Sequence, residues 1–351
     1  MYAVDVSCTP SPKPHPPDAA LGFGRHFTDH LFRADFTREA GFGGARVVPY
    51  GELVLDPATS ALHYGQSVFE GLKAFPRPGG GLSLFRPFDH AARLAKSARR
   101  LAMPPVDPDL LLAGIHALLR TDAGWMPSAP GTALYLRPLL FASEPFLGVR
   151  AAHAYTLLVF LSPVGAYFGT ERPLRIWVER SRARAAPGGI GAAKASANYV
   201  ASLLSAEEAK GRGFDEVLWL DAAERRLLEE IGTMNVFVRI GDTLITPPLS
   251  GSILRGVTRD SVMVLARRRG VAVEERPISI EEIVAAHRDG TLCEVFGTGT
   301  AALVSPVGEL AWEGARLILA QTRGLGVELR EELSAIQRGE RPDRHGWLWA
   351  V

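Results

Sequence analysis

Five lysines punctuate a chain of 351 residues, so any chemistry that needs a lysine amine has few candidates. Lys194 stands in GGIGAAKASANY, among side chains too small to cover it. Small neighbours let a bulky ligand approach the backbone, and an amine that sheds its proton can attack a carbonyl to form a Schiff base. Lys73, in VFEGLKAF, is the rival: alternation places it on one strand face with Phe69 and Phe75, where a buried stem with a wet tip is the ordinary arrangement. Lys13 sits in a proline-rich start, Lys210 beside Gly211 at a helix end, and Lys96 on a polar helical stripe with Asp89, Arg93 and Arg100. Residue types alone leave Lys73 and Lys194 both open.

Two further segments are built to receive an anion. In SGSILRGVTRDS, a Gly256-Val257-Thr258 turn feeds directly into a helical pattern, so N–H groups and the positive helix end face the loop. FGTGTAA follows an apolar strand and offers the Thr298 and Thr300 hydroxyls with loop N–H groups. Two such nests beside a candidate amine point to a phosphate-bearing cofactor. In RRLLEEIGTMNVFV, alternation turns Glu229 and Glu230 to opposite faces, so one of them should point inward and need a cationic or hydrogen-bonding partner. A protonated ring nitrogen is such a partner.

The elements that must position these groups read as a mixture of strands and helices without a βαβ rhythm, which predicts an α+β chain of two domains. ARVVPYGELVLD reads as a hairpin turning near Gly51. PFDHAARLAKSARRLA has helical spacing through Phe88, Ala91, Ala95, Ala98 and Leu101, and DPDLLLAGIHALL starts on an Asp107 cap followed by Pro108. TALYLRPLLFA and YTLLVFL are strong strands. Beyond a turn-rich joint come the strand EVLWLD, the strand-turn-strand EIGTMNVFVRIGDTLITP, the helices VTRDSVMVLARRR and SIEEIVAAH, and a largely helical end from Ala315. The boundaries expected are a mobile lead-in over 1–20, a smaller α/β domain over 21–168, a connector over 169–174 and a larger cofactor domain over 175–351.

Composition narrows the class. With 39 basic and 38 acidic residues, the formal charge of +1 speaks against coating a nucleic acid. Cys8 and Cys293 make no disulfide scaffold, and no spacing suggests a metal site. No secretory leader is evident, and the apolar run from Tyr155 to Phe168 is too short and too broken to cross a bilayer. The expectation is a soluble, cytoplasmic protein that neither coats a nucleic acid nor spans a membrane.

Taken together, HYGQSVFEGLKAF, LFRPFDHAARLAKSARRL, GTALYLRPLL, SPVGAYF, EVLWLD, EEIGTMNVFV, ITPPLSGSILRGVTRDS, EVFGTGTA and the terminal HGWLWAV occur in an order that resembles the branched-chain amino acid aminotransferases, pyridoxal-phosphate enzymes of fold type IV. The resemblance covers essentially everything after the first twenty residues. It implies a two-domain fold-type IV enzyme that passes the amino group of L-leucine, L-isoleucine or L-valine to 2-oxoglutarate through pyridoxal 5′-phosphate. It also implies a homodimer.

Carried over position by position, the Schiff-base lysine falls on Lys194, the partner of the ring nitrogen on Glu230, and the phenolic-oxygen partner on Tyr199. Arg93, Val257, Thr258 and Thr300 match phosphate-binding positions. Phe23, Tyr64, Phe69, Tyr135, Tyr167 and Thr233 match the substrate pocket, with Thr300 and Ala301 at the turn for the α-carboxylate and Arg137 for a distal carboxylate. The chain departs from the pattern in two places. Ala302 and Ser305 stand where some members carry a Cys-x-x-Cys pair, which excludes a thiol switch there, and the lysine loop reads Lys-Ala-Ser-Ala-Asn-Tyr where many have Gly-Gly before Asn-Tyr. A D-amino acid aminotransferase or an aminodeoxychorismate lyase shares the architecture and is the alternative.

Overall fold

The computed structural model describes residues 2–165, 172–319 and 324–351. The chain divides into two compact units: Met1–Gly169 with Ala193–Ala197 and Ile336–Val351, and Thr170–Ala192 with Asn198–Ala335.

In the first unit the chain runs through β1 (Asp5–Val6), β2 (His30–Thr37), β3 (Gly41–Pro49), α1 (Ser60–Tyr64), β4 (Ser67–Phe69), β5 (Leu72–Pro76), β6 (Leu82–Phe85), α2 (Pro87–Arg100), α3 (Pro108–Thr121), β7 (Ala133–Ala142) and β8 (Ala154–Val164). The strands make one sheet in the order β1-β3-β2-β8-β7-β5-β6, with β4 paired to β7. The apolar runs read from the sequence become its centre, since β7 and β8 pair antiparallel over their full length. The Asp107 carboxylate caps α3 by accepting from the Asp109 N–H at 2.9 Å. Gly114 on α3 lets that helix close on the sheet, for an added Cβ would lie 2.6 Å from atoms of the Phe32 ring.

The second unit contains β9 (Leu174–Glu179), α4 (Ser196–Val200) from Asn198 onward, α5 (Leu203–Gly211), β10 (Glu216–Leu220), β11 (Leu228–Ile231), β12 (Met234–Ile240), β13 (Thr243–Thr246), α6 (Val257–Arg268), β14 (Ala272–Glu275), α7 (Ile280–Arg288), β15 (Leu292–Gly299), β16 (Leu303–Trp312), β17 (Ala315–Ile318) and α8 (Leu325–Gln337) as far as Ala335. Its sheet follows β11-β10-β9-β16-β15-β12-β13-β14, with β17 paired to β16. The final strand, β18 (Leu348–Ala350), pairs antiparallel with β6 and belongs to the first unit. Ser279 caps α7, its hydroxyl accepting from the Glu282 N–H at 3.1 Å.

Four expectations need correction. The residues after Gly51 form no second hairpin arm; β3 pairs instead with β2, and Leu53, Val54 and Leu55 are exposed. The lead-in is held rather than mobile. Its β1 pairs with β3, Thr9 N–H donates to His30 Nε2 at 2.8 Å, and the Lys13 amine donates to Thr28 C=O at 2.8 Å, so Lys13 is not simply solvated. Phe88 is exposed, and the buried side of α2 includes His90, Leu94 and Ser97 instead. Finally, Ala193–Ala197 and Ile336–Val351 group with the first unit, although the sequence reading placed both in the domain over 175–351. An isolated bridge between Val68 and Ala195 and the β6–β18 pairing are the physical reasons.

Candidate active site

Lys194 is presented by a turn pinned to the first unit on both sides of its Cα. Its N–H donates to the Ser97 hydroxyl on α2 at 2.9 Å, and its C=O accepts from the Phe69 N–H at 3.0 Å. The amine lies 5.0 Å from the centre of the Phe69 ring. Lys73 lies on β5 opposite Tyr135, and burial lowers its amine to about 8. Desolvation alone singles out Lys73.

Arg93 does not belong to a solvated stripe. One turn before Ser97 on α2, its Nε and Nη2 donate to the two oxygens of Glu70 at 2.6 and 2.8 Å. Glu70 is 0% exposed and also accepts from His90 Nδ1 at 2.8 Å and its neighbour Gly71 N–H at 3.2 Å. Burial pushes the Glu70 carboxyl upward, but the Arg93 guanidinium and His90 outweigh it and hold the group well below its usual range. Burial also pushes His90 down, against the opposing pull of Glu70, to whose carboxylate the Nδ1–H donates.

Beside this cluster, Tyr135 and Arg137 share a face of β7. The Arg137 guanidinium stands 4.7 Å from the Phe69 ring centre and 5.4 Å from that of Tyr135, and its Nη2 donates to the Tyr135 hydroxyl at 3.2 Å. Phe23 meets Tyr135 edge-on with centroids 5.0 Å apart. Arg137 Nε is buried and has no hydrogen-bond partner among the described residues. Gly71 makes room for the phenol, since a Cβ there would lie 1.8 Å from its oxygen.

In the second unit, both Glu229 and Glu230 are buried, where alternation led us to expect one. Glu229 accepts from the Ser252 hydroxyl, and burial raises its carboxyl despite that bond and the nearby Arg184. Glu230 has the partners of an ionised carboxylate: Leu254 N–H at 2.9 Å, Asn235 Nδ2 at 3.3 Å and the Arg184 guanidinium at 3.1 Å. α6 begins at Val257 behind Gly256, an N-cap residue with no side chain of its own. A Cβ at Gly256 would lie 2.0 Å from Asn235 Oδ1. Thr258 is buried in that turn, and the Thr298 hydroxyl on β15 is buried with no hydrogen-bond partner.

The amino-transferase class IV family model matches residues 67–310, which takes in Phe69, Arg93, Lys194, Glu230, Thr258 and Thr300. The chain belongs to the class IV aminotransferases. Branched-chain-amino-acid aminotransferase 2 of Bacillus subtilis is 45% identical to this aminotransferase over 351 residues, covering 99% of this chain and 96% of its own. A probable branched-chain-amino-acid aminotransferase of Streptomyces coelicolor is 46% identical over 331 residues, 93% of this chain and 91% of that one. Among solved structures, the Escherichia coli branched-chain amino acid aminotransferase superposes with a TM-score of 0.77 at 29% identity, covering 91% of this chain and 98% of that one. The branched-chain amino acid aminotransferase of Thermobaculum terrenum, solved in its PLP-form, gives 0.71 at 25% identity, covering 92% and 97%.

Of the residues that the sequence proposed for this aminotransferase, Phe23, Phe69, Arg93, Tyr135, Arg137 and Lys194 fall in the first unit. Tyr64 is there as well, but on α1 and 44% exposed, with its ring against His63. Tyr199, Glu230, Thr233, Val257, Thr258, Thr300 and Ala301 fall in the second unit, with Thr233 exposed in the β11–β12 turn and Tyr199 on α4. Tyr167 lies outside the described residues. Glu70, His90, Ser97, Arg184 and Asn235 were missed. The α2 residues carried a signal, because His90, Arg93 and Ser97 recur at intervals of three and four on one helical face.

Proposed function

We propose that this aminotransferase moves the amino group of L-leucine, L-isoleucine or L-valine to 2-oxoglutarate, using pyridoxal 5′-phosphate. Arg137 carries the substrate reading. A guanidinium close to two aromatic rings, with one buried N–H that has no partner among the described residues, suits a substrate pair in which one member is apolar and the other ends in a carboxylate. The rings of Phe23, Phe69 and Tyr135 give an aliphatic side chain a surface to bury against, at about 0.8 kcal/mol per CH₂.

The residues present fit the cofactor. The start of α6 behind Gly256, with Thr258 buried in its first turn, and the buried Thr298 hydroxyl, which has no partner among the described residues, suit a phosphate, and Glu230 accepts from two N–H donors and pairs with Arg184. We assign phosphate binding to Arg93, Val257, Thr258 and Thr300, the ring nitrogen to Glu230, the phenolic oxygen to Tyr199 and covalent attachment to Lys194. When bound, the cofactor supplies an electrophilic carbon and a ring able to store an electron pair. Lys194 Nζ would take the proton from the substrate Cα as general base and deliver it, as general acid, to the cofactor's electrophilic carbon. Glu230 holds the proton on the ring nitrogen, and Arg93, fixed by Glu70, offers a charge whose direction is set before binding. We assign the α-carboxylate to the turn at Thr300 and Ala301, and Tyr64, Tyr167 and Thr233 to substrate binding, and we propose a cytoplasmic homodimer.

Assaying L-leucine with 2-oxoglutarate beside D-alanine with 2-oxoglutarate and aminodeoxychorismate alone separates this reading from its nearest rivals. Turnover of L-leucine is expected; turnover of either rival substrate without L-leucine overturns it.

A further inference from the structure

We propose that Ser97 is a positioning residue for Lys194, and that the hydroxyl pair Ser67–Ser196 is a second tie on the same turn; this rests on the function just proposed. A lysine amine hangs at the end of four methylenes, so where it can reach depends on how firmly its Cα is held. Two elements, α2 and β4, hold it here. Ser97, 1% exposed on α2, accepts the Lys194 N–H at 2.9 Å, where a mid-helix serine would ordinarily bond back to its own helix. The Phe69 N–H donates to the Lys194 C=O at 3.0 Å, and Val68 bridges to Ala195. The Ser67 hydroxyl then donates to the Ser196 hydroxyl at 2.6 Å, on the far side of the lysine.

The helical spacing gives this arrangement a purpose. Arg93 and Ser97 are four residues apart on α2, so one helix face sets both the guanidinium and the amine-bearing backbone. Their separation is thereby fixed by a rigid element and not by loop contacts. Ser196 supplies a side-chain bond that a glycine at the same place could not make, which compensates for the freedom of a turn rich in small residues.

The test compares the native protein with Ser97→Ala, Ser97→Thr and Ser196→Gly, first without cofactor and then with it. In hydrogen–deuterium exchange on the cofactor-free protein, Ser97→Ala should speed exchange at the Lys194 amide about tenfold, as expected when the acceptor of a buried N–H is removed. Ser196→Gly should speed it by a smaller factor, and amides of β8 should be unchanged in both. With pyridoxal 5′-phosphate added, Ser97→Ala should lower kcat for L-leucine at least tenfold with little change in KM and move the pH midpoint of the bound cofactor's visible absorbance. Ser97→Thr, which keeps the hydroxyl, should recover both. Native exchange at Lys194 in Ser97→Ala, or native kcat and midpoint in that variant, overturns the proposal. If Ser97→Ala does not fold, unaltered exchange and kcat in Ser196→Gly overturn the second tie, and Ser97→Thr failing to match the native protein in both readouts overturns the first. A native protein inactive toward L-leucine overturns the parent function and the catalytic purpose of these ties, whereas the exchange arm reads the ties themselves without reference to activity.

Discussion

Replacing Glu70 with Gln removes one charge from a fully buried cluster while keeping its shape. The native carboxylate takes two bonds from Arg93, one from His90 and one from the Gly71 N–H. Gln leaves the Arg93 guanidinium, whose side chain is 11% exposed, without its counter-charge. Breaking a buried pair from one side costs about 3–5 kcal/mol, and because Gln retains one acceptor oxygen the lower end applies, about 3 kcal/mol. For a unit of this size that is a fall in Tm of roughly 6–12 °C. The pH dependence has a definite sign. Since Glu70 titrates below its ordinary value of 4.5 in the folded protein, its contribution is fully present above about that pH and is lost as pH falls toward the folded value. Urea unfolding of the cofactor-free native and Glu70→Gln proteins, run between pH 4 and pH 8, should show a gap of about 3 kcal/mol at neutral pH that narrows toward pH 4. A gap below about 1 kcal/mol, the range of a surface ion pair, or one that does not change with pH, would refute the reasoning.

Glu216 carries the opposite sign. Burial raises it from 4.5 to about 7 against the pull of the Val217 N–H, so its contribution is present below pH 4.5 and lost as pH rises through about 7. Glu216→Gln should therefore stabilise the protein by up to about 3 kcal/mol at pH 8 and hardly at all at pH 5, and denaturant curves with equal effects at both would contradict this. Gly114→Ala should cost about 1–3 kcal/mol by forcing its methyl group against the buried Phe32 ring; an unchanged unfolding midpoint would show that the ring yields freely. Arg137→Gln should raise KM for 2-oxoglutarate about tenfold to a hundredfold while changing that for L-leucine far less, because only the dicarboxylate loses a charge-assisted bond. Equal changes in steady-state KM for both substrates would remove Arg137 from that role.

Much of the fold was legible because long apolar runs admit few fates. TALYLRPLLFA and YTLLVFL became β7 and β8, and the capped patterns opening at Pro108 and Ile280 became α3 and α7. Pairing partners were harder to read. The arm after Gly51 alternates well enough to suggest a hairpin, yet β3 takes β2, a choice made by contacts across the sheet that no local pattern records. At the site, side-chain type was visible but its partner was not. Arg93 looks solvated on a helical wheel because the carboxylate that buries it, Glu70, is 23 residues away in sequence. Glu229 and Glu230 defeat alternation for a similar reason: Ser252 and the Leu254 N–H come from a later loop and let both carboxylates turn inward. Ser97 shares a helical face with His90 and Arg93, but its partner could not be read, since that partner is a backbone N–H 97 residues further on.

The most direct measurement joins amine to cofactor. The purified protein is incubated with pyridoxal 5′-phosphate, reduced with borohydride, digested and mapped by mass spectrometry. The account predicts one phosphopyridoxyl mass on the peptide containing Lys194 and none on that containing Lys73. A label on Lys73, or on no lysine, contradicts it.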